Sequence, residues 1–96
     1  MPFARLTIHP ALPQDARQRL VTGLTGLISD ILRKRHDLTS VMLEAPAAQW
    51  TIGAKASCST AHLEVTVTAG TNTPEEKATF LAAAMALLRS ELPDLP

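Results

Sequence analysis

Met1-Pro2-Phe3-Ala4-Arg5-Leu6-Thr7-Ile8 is the stretch that decides how this chain is read. Ala4, Leu6 and Ile8 alternate with Phe3, Arg5, Thr7 and His9, and a period of two means a strand with two unlike faces. The strand begins directly behind a proline. If Met1 is removed, the Pro2 nitrogen becomes a free secondary amine. A free α-amino group titrates near pH ~8, and stripping part of its water shell lowers that value. An amine titrating near neutrality can take and return a proton, which is the task of a general base. The plainer reading is that Pro2 only starts a strand, a position that tolerates proline.

Outward from this strand, Pro10 and Pro13 mark a loop. Ala16, Leu20, Leu24, Leu27, Ile28, Ile31 and Leu32 then recur at steps of three and four, the stripe of an amphipathic helix. Pro13 suits its first turn, and Arg33, Lys34 and Arg35 are expected at its end, where positive charge suits the helix dipole. Gly23 and Gly26 each cost this helix about 1 kcal/mol relative to Ala, and mark either close approach to another backbone or mere weakness. Ser40 to Glu44 reads as a second strand with Val41 and Leu43 on one side. Strand, helix, strand in this order is a βαβ unit with parallel strands and a right-handed crossover.

The segment from Ala45 to Ser59 is rich in Ala, Ser, Pro and Gly and holds the only tryptophan, Trp50; it reads as an excursion containing a short hairpin. Ala61 to Ala69 alternates again, with Leu63, Val65 and Val67 opposite His62, Glu64, Thr66 and Thr68. Thr73-Pro74-Glu75-Glu76 spells a helix start: Thr73 as N-cap, Pro74 at the first position, Glu76 closing a capping box. Phe80, Leu81, Ala84, Met85, Leu87 and Leu88 follow at helical spacing, up to Pro93.

Composition bounds the rest. Ninety-six residues make one domain spanning positions 1–96. Aromatics are only 3% of the chain, so its core must be aliphatic. Nine basic and nine acidic residues cancel, which argues against a nucleic-acid or anionic-membrane surface. The single cysteine, Cys58, permits no internal disulfide and has no thiol-activating motif beside it. The longest apolar run, Phe80 to Leu88, is too short to span a bilayer, and no secretory signal is read, so the cytoplasm is the expected compartment.

Leu6-Thr7-Ile8, loop, Pro13, helix is echoed by Val65-Thr66-Val67, loop, Pro74, helix. The echo predicts an α+β fold of two βα(β) repeats, with two helices on one face of a small mixed sheet and no closing strand in the second repeat. With Met1-Pro2 before a strand, Leu38-Thr39-Ser40-Val41 at the second strand, Trp50-Thr51-Ile52-Gly53 after it and Gly70-Thr71-Asn72 before the last helix, the chain resembles the tautomerase superfamily. That superfamily contains 4-oxalocrotonate tautomerase, 5-carboxymethyl-2-hydroxymuconate isomerase and macrophage migration inhibitory factor (MIF).

The resemblance implies a homotrimer with Pro2 in a pocket near a subunit boundary. It implies keto–enol conversion of a small 2-oxo acid or dienol, with Pro2 as base and no cofactor. Lys34, with Arg35 beside it, lies near a pocket lysine of the cytokine-like members and would bind the carboxylate; otherwise these are a solvated helix end. Trp50 matches an aromatic pocket residue that would depress the Pro2 pKa, or is a loop residue pinned on the core. Glu64 could contact substrate as an acid–base partner or water activator, the alternative being a polar residue lining the trimer channel. That role would give hydratase or dehalogenase activity in the same pocket. A non-catalytic trimeric binding protein is the remaining reading. His62 and Glu64 share a face, but no third ligand is spaced to complete a metal site. The chain departs from the short tautomerases at Met42 and near Leu12, where those proteins carry arginines.

Overall fold

The first strand runs where the alternation puts it. In the computed structural model, which describes residues 2–56 and 59–96, β1 spans Phe3–His9 and buries Ala4, Leu6 and Ile8 completely. Met1 and Cys58, on which two of the sequence readings turn, lie outside the described residues. Helix α1 follows over Gln14–Asp30, with Pro13 as its N-cap and Ala16, Leu20, Leu24 and Ile28 buried. A 3-10 turn at His36–Leu38 leads into β2, Ser40–Glu44. The excursion contains β3, Thr51–Ile52, and β4, Lys55–Ala56, before β5, Thr60–Thr66, and α2, Pro74–Glu91.

The main sheet has the order β2-β1-β5. β1 and β2 are parallel, with Leu6 opposite Leu43, and β1 and β5 antiparallel, with Leu6 also opposite Leu63. Since opposed residues in a sheet share a face, Val41, Leu43, Ala61, Leu63 and Val65 line the same side as Ala4, Leu6 and Ile8. Both helices cover that side: Leu20, Leu24 and Ile28 of α1 and Phe80, Ala84 and Leu88 of α2 belong to one cluster with the β1 residues. The other face is uncovered. Arg5 and Thr7 of β1 both hydrogen-bond Glu44 there, at 2.8 and 3.2 Å, beside half-exposed Phe3 and Met42.

The helices meet where α1 has no side chain. A methyl group at Gly23 would come within 2.8 Å of the Leu87 side chain, whereas one at Gly26 would meet nothing within 4 Å. Of the two glycines, then, only Gly23 marks a close approach, to a side chain and not to another backbone. The Arg19 guanidinium also reaches Glu91 at 2.7 Å. At the start of α2 the capping box is complete: the Glu76 N–H donates to Thr73 Oγ1 at 3.1 Å and the Thr73 N–H to Glu76 Oε1 at 2.9 Å.

Two boundaries differ from the sequence expectation. α1 stops at Asp30, so Arg33, Lys34 and Arg35 lie beyond the helix and not in its last turn. Arg33 instead takes a left-handed conformation, φ 58°, which turns the chain toward β2. β5 ends at Thr66 because its partner strand begins at Phe3, opposite Thr66; Val67, Thr68 and Ala69 have no strand left to pair with. Among the described residues no helix is long and apolar enough to cross a membrane.

Candidate active site

Pro2 is buried at the N-terminal end of β1. Its carbonyl accepts the Ser40 N–H at 3.1 Å, which extends the β1–β2 pairing by one step and fixes the residue against the sheet. Around it lies a cavity of about 190 Å³, lined by Pro2, Lys34, Arg35, Leu38, Val67 and Thr68. Three crossings of the chain converge here for topological reasons. The parallel β1–β2 connection must return to the end where β1 begins, bringing the turn after α1 with it. The antiparallel β5 must finish at that same end, bringing Val67 and Thr68.

The turn after α1 is stitched to the turn before α2. Lys34 Nζ donates to Thr71 Oγ1 at 2.7 Å, and that hydroxyl donates to the Thr68 carbonyl at 2.6 Å. Asn72 Nδ2 donates to the Leu32 carbonyl at 2.8 Å. The Arg33 guanidinium bonds Glu76 and the Thr71 carbonyl. Arg33 thereby holds the Glu76 carboxyl down at about 2, with the Thr73 N–H and Asn72 adding to the effect. Arg35 points into a bidentate pair with Asp37, at 2.8 and 3.2 Å. The cavity thus offers two cationic side chains, one hydroxyl-anchored and one carboxylate-paired, and apolar walls from Leu38 and Val67.

No protein-family model and no curated protein sequence matches the chain. Solved structures do. A fused 4-OT wild-type symmetric trimer shares 18% identity at a TM-score of 0.84, covering 97% of this chain and 79% of that one. The MIF of Toxoplasma gondii gives 16% and 0.80 over 97% of this chain and 82% of its own. The MIF-like protein of Entamoeba histolytica gives 12% and 0.79 over 94% and 75%. The fold is that of the tautomerase superfamily. At these identities it is the fold that is shared.

Within this fold, Pro2, Lys34 and Arg35 come together around one cavity, and Trp50 and Glu64 are not among the residues lining it. Glu64 pairs in register with Arg5 on the uncovered sheet face and is engaged by His62 at 3.3 Å. Trp50 precedes β3, whose Ile52 lines a separate cavity of about 150 Å³ with Thr60 and Ala61. Thr60 is opposite His9, at the far end of β1 from Pro2, about 20 Å away at ~3.3 Å per residue. Met42 sits opposite Arg5 on the same uncovered face as Glu64. Leu38, Val67 and Thr68 were not singled out by sequence as cavity residues. Their signal is the direction of β5, and alternation alone does not state whether a strand runs parallel or antiparallel to its neighbour.

Proposed function

We propose that the chain is a cofactor-independent tautomerase or isomerase that interconverts the keto and enol forms of a small 2-oxo acid, with Pro2 as general base once Met1 is removed. The observation that carries this reading is the burial of Pro2 in one cavity with Lys34 and Arg35. Burial and neighbouring cations both disfavour the ammonium form of the amine, which leaves the lone pair free to accept a proton at neutral pH. The base removes the proton from the carbon next to the ketone, and electron density moves to the ketone oxygen. Lys34, held by Thr71, is positioned to meet the carboxylate or that developing charge. The protonated proline then returns its proton to the other end of the conjugated system.

A structural neighbour at TM-score 0.78 and 13% identity, Pt0534, was solved after inactivation by 2-oxo-3-pentynoate, itself a 2-oxo acid, which supports the substrate class. Three fused 4-OT neighbours are trimers. A homotrimer of this chain would cover the uncovered sheet face with its exposed Phe3 and Met42.

The test is ketonisation of phenylpyruvate or a 2-hydroxymuconate-type enol, preceded by intact-mass measurement to establish that Met1 is absent. Pro2→Ala is expected to lower kcat/KM by roughly 10²–10⁴-fold, the usual contribution of a positioned base. Lys34→Ala is expected to raise KM by about tenfold or more, as for loss of a charge-assisted hydrogen bond. Unchanged turnover in Pro2→Ala, or a retained Met1 in active protein, removes the base role.

A further inference from the structure

Arg33, Lys34 and Arg35 follow one another beside the Pro2 cavity, the last two in its wall. They bring unequal charge to it. The Arg33 guanidinium bonds both carboxylate oxygens of Glu76. Arg35 bonds both oxygens of Asp37, Nε at 3.2 Å and Nη2 at 2.8 Å, the two-point contact in which guanidinium and carboxylate fit best. Lys34 alone of the three meets no carboxylate among the described residues. Its ammonium donates to the neutral Thr71 hydroxyl at 2.7 Å and has two further N–H groups to give.

Asp37 is kept beside Arg35 by the backbone between them. Within the 3-10 turn His36–Leu38, the Leu38 N–H donates to the Arg35 carbonyl at 3.2 Å, and the Thr39 hydroxyl donates to the same oxygen at 2.7 Å. We propose that Asp37 sets the charge this site accepts: by cancelling Arg35 it leaves Lys34 as the cation offered to the ligand, and so selects 2-oxo acids with one carboxylate and an apolar remainder over 2-oxo dicarboxylic acids. The inference deepens the reading of this cavity as a 2-oxo acid site and rests on it.

The first carboxylate meets Lys34. The rest of the ligand faces Leu38 and Val67, where a second carboxylate would lose water without gaining a partner. Toward Arg35 it would find the guanidinium paired and the like charge of Asp37 beside it. The side chains of that pair are 71% and 66% exposed, so water screens part of the effect, and the contribution of Asp37 is a matter of a few-fold.

Benzoylformate and 4-carboxybenzoylformate test the proposal. They share one skeleton and differ by one carboxylate, and neither has a hydrogen on the carbon beside the ketone, so both bind without turnover. Dissociation constants from titration calorimetry are expected to favour benzoylformate by roughly tenfold. Asp37→Asn is expected to tighten 4-carboxybenzoylformate and narrow that ratio by about two- to fivefold, less so at high salt. Adding Arg35→Gln to Asp37→Asn should remove the gain. A purely structural role of Asp37 in the turn would move both constants alike, and an unchanged ratio overturns the proposal. Equal or tighter binding of 4-carboxybenzoylformate by the wild type overturns it without any variant, and so does binding of neither acid. Since nothing is turned over, these constants are independent of the base. Unchanged ketonisation in Pro2→Ala would remove the role of Pro2 and leave the selectivity standing, whereas a reversed ratio would remove the selectivity and leave Pro2 as base.

Discussion

Arg33 occupies a backbone conformation that costs an L-residue roughly 1–2 kcal/mol, and its side chain supplies a compensating tie. The guanidinium bridges to Glu76 across the two turns that frame the Pro2 cavity. The consequence is a defined acid sensitivity. The Glu76 carboxyl is held at about 2 in the folded chain against an ordinary value of 4.5. A depressed carboxyl stabilises the fold fully above its unfolded value and loses that contribution as pH falls through the window from about 4.5 to about 2. Urea midpoints measured at pH 7 and pH 3 should therefore drop more in the wild type than in Glu76→Gln, whose amide keeps the N3 capping role but does not titrate. Equal drops would mean that the bridge does not bias folding. At this scale the sequence was uneven. Thr73 and Glu76 announced their capping box by spacing alone. Lys34 and Arg35 became candidates only through resemblance, since three adjacent cations behind a helix look the same whether they line a cavity or face solvent.

Among the elements, α1 and α2 carry a contrast that the sequence could pose but not resolve. Gly23 and Gly26 are one turn apart and equally poor for a helix. The first lies under Leu87 and the second faces open space. Gly26→Ala should raise the thermal midpoint, followed by circular dichroism, by about 4–8 °C for a gain near 1 kcal/mol in a domain of this size. Gly23→Ala should yield a smaller rise, because the added methyl must displace the Leu87 side chain. A larger gain at Gly23 would contradict the packing described. The βαβ unit, the two helices and the alternation of β5 were all legible, because period and punctuation are local properties. The end of β5 was not. Val67, Thr68 and Ala69 continue a strand pattern, and what stops the strand is the end of β1, a partner more than fifty residues away in the chain.

At the level of the whole molecule, topology brings Pro2, Lys34, Val67 and Thr68 to one end of the sheet and leaves Ile52, two residues after Trp50, at a cavity beside Thr60 at the other. The sequence places Glu64 on a face with Arg5 and Thr66, and the structure keeps it there; Glu64 and Pro2 share a site only if a second subunit brings them together. The β3–β4 hairpin, with two residues in each strand and a tight turn at Gly53 (φ 60°) and Ala54 (φ 63°), is a sheet separate from the main one. Its four strand residues are all exposed. Trp50 stands at its base, and the chain has no tyrosine. The near-ultraviolet emission of this protein is therefore a local signal, coming from its most lightly anchored strands. Titrated with urea, fluorescence should change before the helical ellipticity does. Two coincident curves would show that this small ribbon unfolds only with the core.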